Sequence, residues 1–130
     1  WSVPDGAAWF LEWEPDDLSQ TILGDVRLYL NANHPRVSQA VNGANPEDAV
    51  VREFIFHDVA RTLIMGALDN EDFVDNPKQY HTGTVGATVR EMLEIRFPNR
   101  SFKWLRDQMR RGNLFEAHLQ HQLGFLKETE

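Results

Sequence analysis

The chain has 130 residues, the length of one domain around one core. Apolar residues make up 42% and charged residues 25%, the mix of a globular protein in water. There is no cysteine, which excludes disulfides, thiolate zinc sites and a cysteine nucleophile. The net charge is −7, but residues 1–50 carry two basic and eight acidic side chains, residues 51–95 four and eight, and residues 96–130 seven and four. An acidic whole argues against unspecific nucleic-acid binding, because phosphate affinity comes from clustered Lys and Arg. The basic last third keeps a local anion site open. No apolar run reaches the length of a membrane span, and no signal peptide is visible. Because the chain starts at Trp1 and not at Met, it reads as a piece of a larger protein.

Residues 8–14 are aromatic and end in apolar–acidic alternation, which predicts a strand that Pro15-Asp16-Asp17 breaks. Residues 25–31 alternate as well, with Val26, Leu28 and Leu30 on one face and Arg27 and Tyr29 on the other. The two strands are expected to pair as an antiparallel ribbon over 8–31, which needs further elements to cover it. Asn31-Ala32-Asn33-His34-Pro35 then reads as a turn: Asn tolerates left-handed backbone, Pro cannot extend the ladder, and His34 closes the turn by a hydrogen bond. The sharper reading of Asn31, Asn33 and His34 makes His34 a ligand or general base.

From residue 45 to 127 the pattern is helical. Asn45-Pro46-Glu47-Asp48 is a helix start, with Asn as N-cap, Pro at the first position and acids at the positive dipole end. That helix should run to about Leu68. Its polar residues from Arg52 to Thr62 form one stripe, so it is expected to be the central, widely buried helix. Residues 69–81 read as an acidic loop. Thr82 or Thr84 caps a helix whose buried row is Val85, Val89, Met92 and Leu93, ended by Phe97-Pro98-Asn99. Ser101 caps a short helix to Arg111, stopped by Gly112. A last helix runs from about Asn113 to Lys127, with Phe115, Leu119 and Leu126 on one face. The expected fold is α+β and mostly α, a short antiparallel ribbon followed by a bundle of about four helices in a single domain.

Three constellations can carry function. The first is basic: Arg96, Arg100, Lys103, Arg106, Arg110 and Arg111 fall within sixteen residues, opposed by Asp107 alone. Lys103, Arg106 and Arg110 recur at three- and four-residue spacing and share a helix face. Trp104 beside them can stack on a base or a partner. The bland alternative is a solvated face paired to the acidic stretch 69–75. The second is aromatic: Trp9 and Trp13 on an edge strand suggest an interface with another domain or a second copy, unless helices of the same domain cover them. The third is His57-Asp58, the residue pair of metal-dependent phosphohydrolases, which would need further ligands from His34 and His81 with Asp69, Asp72 or Asp75. His118 and His121 share a face but lack a third ligand, and HExxH is absent. No serine elbow and no phosphate-cradling glycine loop is present.

Leu28, Leu30, Asn31, His34, Pro35 and Val37 resemble a segment found after the ATP-binding domain in some bacterial proteins of the gyrase, Hsp90 and histidine-kinase type of ATPase fold. The resemblance covers about fifteen residues. It implies that the chain is the appended piece of a cytoplasmic bacterial protein. DxGxG and a glycine-rich lid are absent, so no catalytic residue carries over. The resulting expectation is a noncatalytic auxiliary, interaction or oligomerisation domain with no cofactor, no metal and no membrane. A nucleic-acid or polyanion binder using the 96–111 patch is the alternative, and a His/Asp metal hydrolase the second alternative.

Overall fold

The predicted strands pair. A computed structural model of the chain describes residues 6–112 and 114–126. Strand β1 (Trp9–Glu12) lies antiparallel to β2 (Arg27–Leu30), with Trp9 opposite Leu30 and Leu11 opposite Leu28. Opposed residues share a face. One face of the ribbon is therefore Trp9, Leu11, Leu28 and Leu30, and the other carries Phe10 and Tyr29. Both strands are shorter than predicted, because their flanks Trp13 and Val26 leave the ladder to pack on the core.

The link between the strands ties the ribbon to the helices. Its short helix α1 (Ile22–Asp25) is capped by the Thr21 hydroxyl, which accepts from Gly24 N. Leu18, in the same link, is buried in the core. The carbonyls of Leu18 and Gln20 accept from Gly86 N and Val85 N at 2.9 Å. These are amides in the first turn of α5 (Val85–Arg96), which no residue of that helix can satisfy.

His34-Pro35 opens a helix that the sequence reading missed, α2 (Pro35–Asn42). The turn itself is present, since His34 N donates to Asn31 O at 3.0 Å. The correction is that His34 is also an N-cap, with Nδ1 accepting from Val37 N at 3.4 Å and Pro35 in the first turn. Helix α2 has only Val37 and Ala40 buried, too little apolar periodicity to announce it.

Helix α3 (Pro46–Leu68) starts and ends where expected, with the Asp48 carboxylate accepting from Asn45 N at 3.3 Å. It touches α2, α4 (Glu71–Asp75), α5, α6 (Phe102–Arg111) and α7 (Phe115–Leu123), so it is the central helix. The core gathers on its C-terminal half, around Leu63, Ile64, Ala67 and Leu68. Toward its N-terminus Val50, Phe54 and Phe56 stay exposed, which corrects the expectation of burial around the whole circumference.

The stretch 69–81 is not a plain loop. Asn70 caps α4 by accepting from Phe73 N, and Pro77–Gln79 forms a 3₁₀ turn. Phe73 and Val74 are buried, and Phe73 stacks on Phe102 at 5.2 Å between centroids. Two apolar residues among acids gave no periodic signal, yet they plug the core while the acids face outward.

Thr84, not Thr82, caps α5: its hydroxyl accepts from Ala87 N and donates to His81 O. Val85, Val89 and Leu93 form the buried row, with Met92 half-buried. Ser101 caps α6 and Gly112, at φ 88°, ends it. Helix α7 stops at Leu123 because Gly124 takes the left-handed conformation at φ 69°. Leu126 therefore follows the helix, exposed, instead of extending its buried face. The predicted limits Asn113 and Lys127 lie outside the described residues. The whole is α+β and mostly α, a two-stranded ribbon ahead of several helices.

Candidate functional site

Along α6 Trp104, Gln108 and Arg111 follow one another at four and three positions, so they lie in one row, and Arg100 stands just ahead of the N-cap Ser101. This row lines a cleft of about 560 Å³ whose opposite wall is α7. Leu105 and Phe115, both buried, form the floor, and His118 and Gln122 stand on the far side. The Arg100 guanidinium sits 4.1 Å from the centre of the Trp104 ring, a cation–π contact that holds both groups at the rim. A smaller hollow of about 430 Å³ shares Phe97, Arg100 and Gln122 with the cleft and extends it toward Arg96.

No carboxylate lines either hollow. Among the described residues, neither Arg100 nor Arg111 has a carboxylate within salt-bridge distance. In a chain of net charge −7 this cleft is the place where apolar surface, amides and free guanidinium groups meet. Such a set can bind a carboxylate or phosphate bidentately while an apolar group settles on the ring.

The predicted basic residues divide. Arg100 and Trp104 are in the cleft. Arg110 points away and pairs with Asp69 at 3.3 Å, so the acidic stretch does take one member of the patch. Lys103 is exposed elsewhere on α6, and Arg106 is half-buried with its Nε lacking a partner. The row Lys103-Arg106-Arg110 thus does not line the cleft. The row that does was equally readable as a period in the sequence, but nothing in one helix says which row its neighbour faces.

The tryptophans of the ribbon are engaged inside the domain. Trp9 Nε1 donates to Asp58 Oδ2 at 2.8 Å, and the Trp13 ring occupies the space beside Gly66. The aromatic residues left exposed on the ribbon are Phe10 and Tyr29, stacked at 6.2 Å. At the strand end, Asn31 Nδ2 donates to Ala7 O and its Oδ1 accepts from Asn33 N, both at 2.9 Å. Asn31, Asn33 and His34 shape the turn and the start of α2, away from the cleft.

His57 and the other histidines do not converge. The His57 ring lies on Phe125 at 4.3 Å, with its Nδ1 buried and without a partner. Burial and then the charge of Arg61 push its pKa below the ordinary imidazole value, against the pull of Asp58, Glu116 and Glu53. Among the described residues no three His, Asp or Glu side chains form a metal-ligand group. Compared with family models, curated proteins and solved structures, the chain matches none. Its site is read from its own residues.

Proposed function

We propose that this is a noncatalytic interaction domain, the auxiliary piece of a larger protein, and that it docks an anionic partner in the cleft between α6 and α7. The observation that carries this reading is the pair Arg100 and Arg111. They flank Trp104 in a cleft with no carboxylate in its lining, on an otherwise acidic chain. Arg110 and Arg61 are paired with Asp69 and Glu116, whereas among the described residues the two cleft arginines have no carboxylate in salt-bridge reach.

The test is calorimetric titration of the chain with poly-glutamate and with polyphosphate at low and high salt. Binding that weakens as salt rises, and that Arg111→Glu removes while Lys103→Glu spares, supports the reading. Heat that is absent with both probes, or unchanged by Arg111→Glu, overturns it.

A second reading, self-association through the ribbon, draws on the exposed Phe10–Tyr29 pair on one of its faces. Sedimentation across concentration separates the two. A dimer that persists in high salt and is lost in Tyr29→Ser supports an apolar interface, and a monomer throughout removes it.

A further inference from the structure

A two-stranded ribbon has two edges, and β2 holds the more open one. All four residues of β2 are exposed, Leu28, Tyr29 and Leu30 at 41%, 45% and 38%, whereas Trp9 and Leu11 of β1 are half-buried. Inside the ribbon Asn31 N donates to Ala8 O at 2.9 Å, next to the pair Trp9–Leu30. Ladder bonds alternate along an antiparallel pair, so Trp9–Leu30 and Leu11–Leu28 are the pairs that exchange none. The N–H and C=O groups of Leu28 and Leu30 therefore point outward along the edge. Among the described residues no other strand pairs with β2 there. Such a row of donors and acceptors is a template for a further strand.

Charge and register decide which strand fits. Residues 26–34 carry one formal charge, Arg27, in a chain of net charge −7. Two copies can therefore meet here without acid facing acid. The edge is also complementary to itself. With Tyr29 opposite Tyr29 of a second copy, Leu28 falls opposite Leu30 in both directions, and every outward N–H meets an outward C=O. The two tyrosines then form a close, non-hydrogen-bonded pair that continues the Phe10–Tyr29 stack, while the leucines meet on the other face. Arg27 lies opposite the neutral Asn31. Sliding the copies by two residues spoils this match. In one direction Leu30 meets Val26, whose N–H already donates to Thr21 O at 3.3 Å. In the other Leu28 meets Ala32, in the turn beyond the strand.

We infer that the β2 edge binds a second copy of this chain, antiparallel and with Tyr29 opposite Tyr29, so that two ribbons join into one continuous sheet. This rests on the reading of the ribbon as a self-association surface and specifies its edge and register. It is independent of the α6–α7 cleft.

The experiment joins sedimentation equilibrium of the whole chain in high salt to disulfide trapping. The parent should be a dimer, and salt should tighten it by screening the repulsion of two acidic chains. Leu28→Pro removes an outward N–H and spares the ribbon's own bonds, so it should weaken the dimer about tenfold or more. Phe10→Ser, on the strand away from the edge, should change it less than about threefold. The chain has no cysteine, so Tyr29→Cys and Arg27→Cys each carry a single thiol. Two Tyr29 positions face each other at about 4.5 Å between Cα atoms, within disulfide reach. Two Arg27 positions are displaced by about 13 Å along the strands, out of reach. Mild oxidation should therefore cross-link Tyr29→Cys and leave Arg27→Cys uncoupled. A dimer indifferent to Leu28→Pro, or equal cross-linking of the two cysteine variants, overturns the edge and register and leaves self-association standing. A parent that is monomeric at every concentration overturns both. Circular dichroism checks each fold, and if Leu28→Pro fails to fold, the two cysteine variants decide.

Discussion

The Trp13 ring fills the space that a side chain on Gly66 would need. A Cβ on Gly66 would come within 2.7 Å of Trp13 Cζ2 and closer still to Cη2. Gly66 lies inside α3, where alanine is intrinsically better by about 1 kcal/mol. Overpacking against a fused ring held between ribbon and helix costs about 1–3 kcal/mol, so the clash wins. Gly66→Ala should lower the urea midpoint, and pairing it with Trp13→Leu should recover part of the loss. A stabilised Gly66→Ala would show that the ribbon does not sit on α3 as described.

Trp9 makes the second tie between ribbon and central helix. Trp9→Phe keeps the ring area but removes the indole donor to Asp58. The bond is half-exposed, so the expected cost is about 1 kcal/mol by equilibrium denaturation. If Trp9 instead served a partner, the isolated chain would be indifferent to the change.

Thr84 and Thr82 offer a matched pair for the start of α5. Thr84→Val loses both the cap on Ala87 N and the donor to His81 O in a buried setting, and should cost about 1–2 kcal/mol. Thr82 is exposed and caps nothing, so Thr82→Val should fall within about 0.5 kcal/mol of the parent. Urea midpoints of the two variants measure the difference directly.

His57 makes stability depend on pH. Its folded pKa is depressed, so between that value and the unfolded value of about 6.5 the unfolded chain binds more protons. The stabilisation is present in full above about 6.5 and is lost as pH falls toward the folded pKa. Unfolding midpoints should therefore decline as pH falls below about 6.5. In His57→Gln this part of the slope should disappear. A parent protein with a flat profile in that window would contradict the burial of His57 against Phe125.

The same helix should respond in opposite ways at its two ends. Ile64→Ala in the fully enclosed half of α3 should cost about 2–5 kcal/mol. Phe56, 70% exposed, should tolerate Phe56→Ser within about 0.5 kcal/mol. Thermal or urea unfolding of both variants tests whether burial along α3 is as lopsided as the fold shows.

What could be read before folding was local chemistry. The start of α3 at Asn45-Pro46, the bounds of α6 between Ser101 and Gly112, and the alternation of β2 each depend on residues within a few positions of one another. Elements held by little periodicity were not legible: α2 needs its two buried residues to find α3, and α4 exists because Phe73 finds Phe102.

The sequence by itself determined the composition of the molecule, its mostly helical plan, its ribbon and the position of its basic segment, because caps, breakers and charge are properties of neighbours along the chain. The tertiary structure alone decided what those residues face. It joined Trp9 to Asp58 across 49 positions and set the Trp13 ring on Gly66, which engages the two indoles within the domain. It also turned the row Trp104-Gln108-Arg111 toward α7, with Arg100 ahead of it in the cleft lining, and sent Arg110 to Asp69. A helix carries several rows of equal period, and only the packing of a second helix against one of them makes that row a cleft.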